Sequence, residues 1–151
     1  PLASVQQAVA IEKQVKRSVE MGATVLTGGK RNNAFYSPTI LLDVKPGMPV
    51  FDEEVFGPVA PVIIARDTAE AVSLANMTKF GLGVSLFTND LEKARDMVSE
   101  FKDGAVFIND LVKSDPRLPF GGTGRSGYGR ELAIQGIREF VNVKTVYIKK
   151  L

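Results

Sequence analysis

Apolar residues recur at three- and four-residue intervals at Ala8, Ile11, Val15 and Val19, which predicts one buried stripe of a helix. Ser4 and Gln7 form a capping-box pair at its start, and Gly22 suits its C-terminal cap. Ala23 to Leu26 reads as a short strand, with Thr27-Gly28-Gly29 as its exit turn. As a phosphate cradle the Gly28-Gly29 pair lacks a following helix to present its N-terminus. Tyr36 to Val44 reads as extended, with Pro38 keeping its start off a central ladder, and Pro46-Gly47 ends it in a turn. Val59 to Ala65 is a β-branched strand. Asp67 and Glu70 cap a helix over Thr68 to Met77, whose buried side is Ala69, Val72 and Leu74-Ala75.

The alternation continues. Val84 to Thr88 predicts a strand, and Asn89 or Asp90 opens a helix with the stripe Leu91, Ala94, Val98 and Phe101. Ala105 to Asn109 is a further buried strand. Strand, helix, strand, helix, strand with short joints argues for parallel pairing and for helices packed over the sheet. The fold class expected is therefore α/β. Residues 110–128 break the pattern as a long irregular loop, and such loops are usually functional or contact a partner. Arg130 to Phe140 can form a helix, and Val141 to Ile148 alternates like a strand whose exposed edge would invite pairing.

Composition narrows the function classes. The 151 residues are enough for a domain with a core, and 19 basic against 17 acidic residues leave a net charge of +2. That balance offers no electrostatic case for nucleic acid or a membrane surface. Cysteine and histidine are both absent, so a Cys- or His-ligated metal site, a thiol nucleophile and a Ser-His-Asp triad cannot be built from these residues. The lack of cysteine favours a reducing, cytoplasmic setting.

Two stretches carry candidate chemistry. Asp52-Glu53-Glu54-Val55-Phe56-Gly57-Pro58 runs acids into an aromatic and a Gly-Pro breaker at the mouth of a strand. Open α/β sheets bind ligands at such strand ends. A carboxylate there can accept both hydroxyls of a ribose, and a Phe can cover a flat ring. The structural alternative is a helix or turn with exposed acids and one core Phe. In extended backbone, residues 54 and 56 share a side and 53 faces away. The second stretch is Leu118-Pro119-Phe120-Gly121-Gly122 through Arg130-Glu131. It contains G-x-G-x-x-G at Gly122 to Gly127, but no strand precedes it and no acid follows about 20 residues on, so the dinucleotide fingerprint fails on context.

Together, E-E-V-F-G-P and P-F-G-G-x-x-x-S-G-Y-G-R-E resemble the C-terminal part of an NAD(P)-dependent aldehyde dehydrogenase, over essentially the whole chain. The resemblance implies a three-layer, mostly parallel sheet with helices on both faces over residues 1–139. It also implies an oligomerisation strand over residues 140–151 that joins a partner subunit's sheet. It implies that Glu54 holds the nicotinamide-side ribose of NAD or NADP, that Phe56 accompanies it, and that Phe120 stands near the reacting aldehyde and the nicotinamide. Asn109 lies at a strand end where the substrate loop begins, and Asn109 to Arg117 looks most like the succinate-semialdehyde dehydrogenase branch. Ser114 or Arg117 could meet a substrate carboxylate, Arg as a bidentate fork; the alternative pairs Arg117 with Asp115 or solvent.

The family's nucleophilic Cys and general-base Glu have no counterpart here, so they are expected in a missing N-terminal part of the same enzyme. Pro1 in place of an initiator Met favours truncation or processing. Three expectations follow: a small-molecule aldehyde as substrate, weak or no cofactor binding, and no turnover by the chain alone. A stand-alone binding or assembly module, with the fold but no catalysis, is the competing reading.

Overall fold

A computed structural model describes residues 1–150. The described chain falls into two compact units, Pro1–Thr78 and Lys79 onward. The first unit comprises α1 (Val5–Glu20), β1 (Thr24–Thr27), β2 (Arg31–Asn32), β3 (Phe35–Tyr36), β4 (Thr39–Leu42), α2 (Pro49–Asp52), β5 (Val59–Pro61) and α3 (Thr68–Ala75).

Strand β4 is the centre of a three-stranded sheet. It pairs in parallel with β5, Thr39 opposite Val59, and antiparallel with β1, Val25 opposite Leu41. The antiparallel β1 departs from the mostly parallel sheet expected. The link between β1 and β4 is only the β2–β3 hairpin, too short to carry a crossover helix, so the chain returns antiparallel.

Helix α1 starts where the capping pair places it: the Ser4 hydroxyl accepts from the Gln7 N–H at 3.1 Å, and the Gln7 side-chain carbonyl accepts from Ala3 N–H at 3.1 Å. Ile11 and Val15 pack it onto Leu41, Val44, Met48 and Val50. The last stripe position is Ser18, fully buried, and not Val19, which is 40% exposed. Ser18 fills that place because its hydroxyl donates to the Gln14 carbonyl at 2.9 Å and accepts from the Val50 N–H at 3.1 Å. Ser18→Ala would leave a buried N–H without its partner. It is expected to lower unfolding free energy by about 1–3 kcal/mol, read as a shifted urea midpoint with an unchanged slope.

Asp67 caps α3, accepting from the Glu70 N–H at 2.8 Å, while Glu70 accepts from the Arg66 N–H at 2.6 Å. On that helix Val72 is buried and Leu74 and Ala75 are half-buried, but Ala69 is exposed.

The second unit comprises β6 (Phe80–Gly81), β7 (Val84–Leu86), α4 (Leu91–Met97), β8 (Val106–Ile108), β9 (Thr123–Gly124) and α5 (Ala133–Arg138). Strands β7 and β8 are parallel, Val84 opposite Val106, as the strand–helix–strand pattern predicts. Asp90 caps α4 by accepting from the Lys93 N–H at 3.0 Å. The helix buries Ala94 and Met97, whereas Leu91 and Val98 are exposed. The long loop is less irregular than expected: β9 pairs antiparallel with β6, and Phe120 bridges Glu131.

Residues 142–150 form neither helix nor strand. A strand needs a ladder partner, and no described strand of the chain pairs with this segment. Its apolar Val143, Val146, Tyr147 and Ile148 are exposed. Leu151, the last residue of the expected oligomerisation strand, lies outside the described residues.

Candidate functional site

The candidate residues fall in both units. In the first, α2 is followed by Glu53, whose backbone is extended (φ −110°, ψ 157°). Two glutamines of α1, seven residues apart and so on one face, hold the chain that follows. Gln14 Nε2 donates to the Glu53 carboxylate at 2.9 Å and to the Glu54 carbonyl at 3.3 Å. Gln7 Nε2 donates to the Phe56 carbonyl at 2.7 Å. Val55 turns inward against the core. Gly57 lies so close to the Ile11 side chain that a Cβ there would collide with it. Anchored at 55 and 57, the loop turns the side chains of 54 and 56 outward.

Phe56 is 71% exposed, which rules out the core Phe of the structural alternative. No hydrogen bond or ion pair engages the Glu54 carboxylate among the described residues. Glu53, in contrast, is already occupied by Gln14. A free carboxylate beside an open aromatic face can accept two hydroxyls and cover a flat ring.

In the second unit a cleft of about 590 Å³ is lined by the residues of β8 together with the apolar Leu118, Pro119 and Phe120. Asp110, Lys113, Asp115 and Arg117 supply charge to the same cleft. These charges neutralise each other locally. Lys113 Nζ lies 2.6 Å from an Asp110 carboxylate oxygen. Arg117 forks onto Asp115, with Nε–Oδ1 at 2.9 Å and Nη2–Oδ2 at 2.6 Å, and its backbone N–H donates to Asp115 at 2.9 Å. The Arg117 side chain, then its backbone N–H, holds the Asp115 carboxyl well below the usual carboxylate range. Lys113 lowers Asp110 in the same way, and Asp115 raises Arg117. The alternative weighed for Arg117, pairing with Asp115, is the one observed. The guanidinium is nevertheless arranged as a bidentate carboxylate fork at the cleft.

Asn109 and Ser114 are not among the residues lining this cleft. The Asn109 side chain is committed to Thr88, accepting from its N–H at 2.8 Å and donating to its carbonyl at 2.8 Å. It adopts φ 56°, a left-handed conformation that Asn tolerates better than most residues. Asn109 therefore roots the loop at the ends of β7 and β8. Ser114 is exposed on that loop. Lys113 and Asp110, which line the cleft, and the two α1 glutamines, which hold the acidic loop, were not singled out for these places from the sequence. The glutamines' seven-residue spacing on a polar face was the available signal; for the ion pairs there was only short sequence separation.

Phe120 lies between this cleft and a second hollow of about 410 Å³ lined by the glycine-dense loop. Its N–H donates to the Glu131 carbonyl at 2.9 Å, and its carbonyl accepts from the Glu131 N–H at 2.8 Å. Beneath, Gly104 touches the Gly121 carbonyl so closely that no Cβ fits there. The G-x-G-x-x-G stretch forms β9 and a turn, and no helix opens on it before α5. It is not a dinucleotide cradle.

A profile of the aldehyde dehydrogenase family matches residues 1–146. The chain belongs to the aldehyde dehydrogenase family.

Within that family it is 48% identical over 151 residues to succinate-semialdehyde dehydrogenase [NADP(+)] 1 of Mycobacterium tuberculosis, covering 98% of this chain and 33% of that protein. It is 46% identical over 149 residues to the succinate-semialdehyde dehydrogenase [NADP(+)] of Deinococcus radiodurans, covering 97% of this chain and 31% of that one. The succinic semialdehyde dehydrogenase of Streptococcus pyogenes, solved with NADP+ as cofactor, superposes with a TM-score of 0.93 at 35% identity, covering 99% of this chain and 34% of that one. A Mycobacterium tuberculosis aldehyde dehydrogenase complexed with NAD+ gives 0.87 at 34% identity, covering 93% and 30%. The chain thus spans about a third of the length of the curated relatives it matches. As an aldehyde dehydrogenase segment it is a mixed α/β structure, as expected.

Proposed function

We propose that this chain supplies cofactor- and substrate-contacting residues of an NAD(P)-dependent aldehyde dehydrogenase. The enzyme would oxidise a carboxylate-bearing aldehyde, succinate semialdehyde or a close analogue, to the acid. The observation that carries the reading is the outward pair Glu54 and Phe56, held by two helix glutamines in a chain of this family. Glu54 would accept the ribose hydroxyls, and Phe56 would cover the neighbouring ring. Phe120 would wall the aldehyde. Arg117 would have to turn its fork from Asp115 to a substrate carboxylate, Ser114 would reach it only if the loop shifted, since it does not line the cleft, and Asn109 would hold the loop's root. The 48% identity to an NADP(+) succinate-semialdehyde dehydrogenase supports the substrate and cofactor classes.

Glu54 and Phe56 would hold the dinucleotide, whose nicotinamide would supply the hydride acceptor when bound. The chain's own residues bind and orient; no cysteine is present to attack a carbonyl. The 151-residue chain alone is therefore expected to show no turnover with succinate semialdehyde and NAD+ or NADP+. Grafted in place of the matching third of the Mycobacterium tuberculosis relative, it is expected to support turnover. Activity of the chain alone, or an inert but folded graft, would sink the proposal.

The exposed apolar side chains from Ile134 to Ile148 favour assembly as well. The natural occupant is a second copy, with residues 140–151 added as a strand to its sheet. In the longer enzyme the sheet would be three-layered, with helices on both faces.

A further inference from the structure

The half-buried Arg130 side chain has no acid partner among the described residues. It spends its charge on backbone instead. Nη1 donates to the Gly122 carbonyl at 3.0 Å and to the Gly129 carbonyl at 2.7 Å. These two carbonyls stand on opposite arms of the glycine-dense loop. The arginine's aliphatic stem runs along Gly121, where a Cβ would sit 3.1 Å from Arg130 Cδ. The two-way Phe120–Glu131 bridge closes the base of the same loop. Just beyond, Leu132 takes φ 63° and Ala133 φ 48°, conformations that non-glycine residues hold only when surrounding structure imposes them. A glycine-rich loop has little side-chain packing to define its shape. Gly129 directly precedes Arg130, so the bond to Gly122 is the one that crosses from arm to arm, and the bond to Gly129 holds Nη1 in place to make it.

We infer that Arg130 is a positioning residue: it clamps the two arms of the loop and so sets where Phe120 stands. The clamp gains functional weight from the reading of Phe120 as a site wall, but its test needs no ligand, so the two can fail separately. The experiment is amide hydrogen exchange on the isotope-labelled 151-residue chain, comparing wild type, Arg130→Ala and Arg130→Lys. Loss of the charge-assisted bond across the loop should lower protection at the Phe120 and Glu131 amides about tenfold. Protection at β8 should stay unchanged, and the Phe120 ring proton shifts should move. Millimolar guanidinium should restore protection in Arg130→Ala, since it refills the emptied donor position. Arg130→Lys keeps the charge but ends one bond short of the place of Nη1, and should lose protection at the same two amides. Unchanged protection in Arg130→Ala, full protection in Arg130→Lys, a loss spread equally into β8, or no recovery with guanidinium would each overturn the assignment.

Discussion

Glu54→Gln in the grafted enzyme is expected to raise the KM for the nicotinamide cofactor roughly tenfold to a hundredfold, the equivalent of about 1.5–3 kcal/mol for hydrogen bonds to a charged acceptor. The proposed role asks one carboxylate to accept from two ribose hydroxyls, and an amide offers a single acceptor oxygen with a donor where the second was. The fold should not change, because the Glu54 carboxylate makes no hydrogen bond or ion pair among the described residues. Surface changes of that kind usually move stability by about 0.5 kcal/mol or less. Glu53→Gln is the control: its carboxylate accepts from Gln14 at 2.9 Å, and its loss should leave cofactor KM within about twofold. Steady-state kinetics with the cofactor varied decides between them. Equal KM values for wild type and Glu54→Gln would remove Glu54 from the site.

Ile11→Ala is expected to have the largest effect on the fold, costing about 2–5 kcal/mol of unfolding free energy. Ile11 is 2% exposed and belongs to the main cluster of the first unit, which has no disulfide to reinforce it. Truncation removes its buried methylenes and leaves a cavity between α1 and the sheet. It also removes the side chain on which Gly57 rests, so the turn after Phe56 should loosen with the core. Ile11→Val, keeping most of the volume, should cost only about 0.5–1.5 kcal/mol. Urea unfolding of both variants checks the pair, and a drop for Ile11→Ala no larger than that for Ile11→Val would contradict the packing described.

Much of the local order was legible in the residues. The caps at Ser4, Asp67 and Asp90 stand where the pattern puts them, because a side-chain acceptor three residues before an exposed N–H is a local matter. The parallel β7–β8 pair also follows from local spacing. That residues 54 and 56 would share a side was readable from alternation, but that this side faces outward was not, since it depends on Val55 and Gly57 packing against the core. Asn109 was not: its residue type marks a strand end, but the Thr88 amide pair that absorbs it comes from 21 residues away. Arg117 was readable only as a choice, and its pairing with Asp115 depends on how the loop bends.

By itself the chain's order of residues determined the α/β class, the family and the two loops where chemistry concentrates. Periodicity, caps and turn residues act over a few positions, and the long motifs need no coordinates to be read. It took long-range packing to put Ser18 in the core in place of Val19, to run β1 antiparallel, and to set Gln7 and Gln14 on the acidic loop. The fold likewise assigned Arg130 to the carbonyls of Gly122 and Gly129. Each of these rests on groups distant along the chain or on opposite arms of a loop. Hydrogen bonds and close packing act through distances of a few ångströms, which folding sets and linear spacing does not.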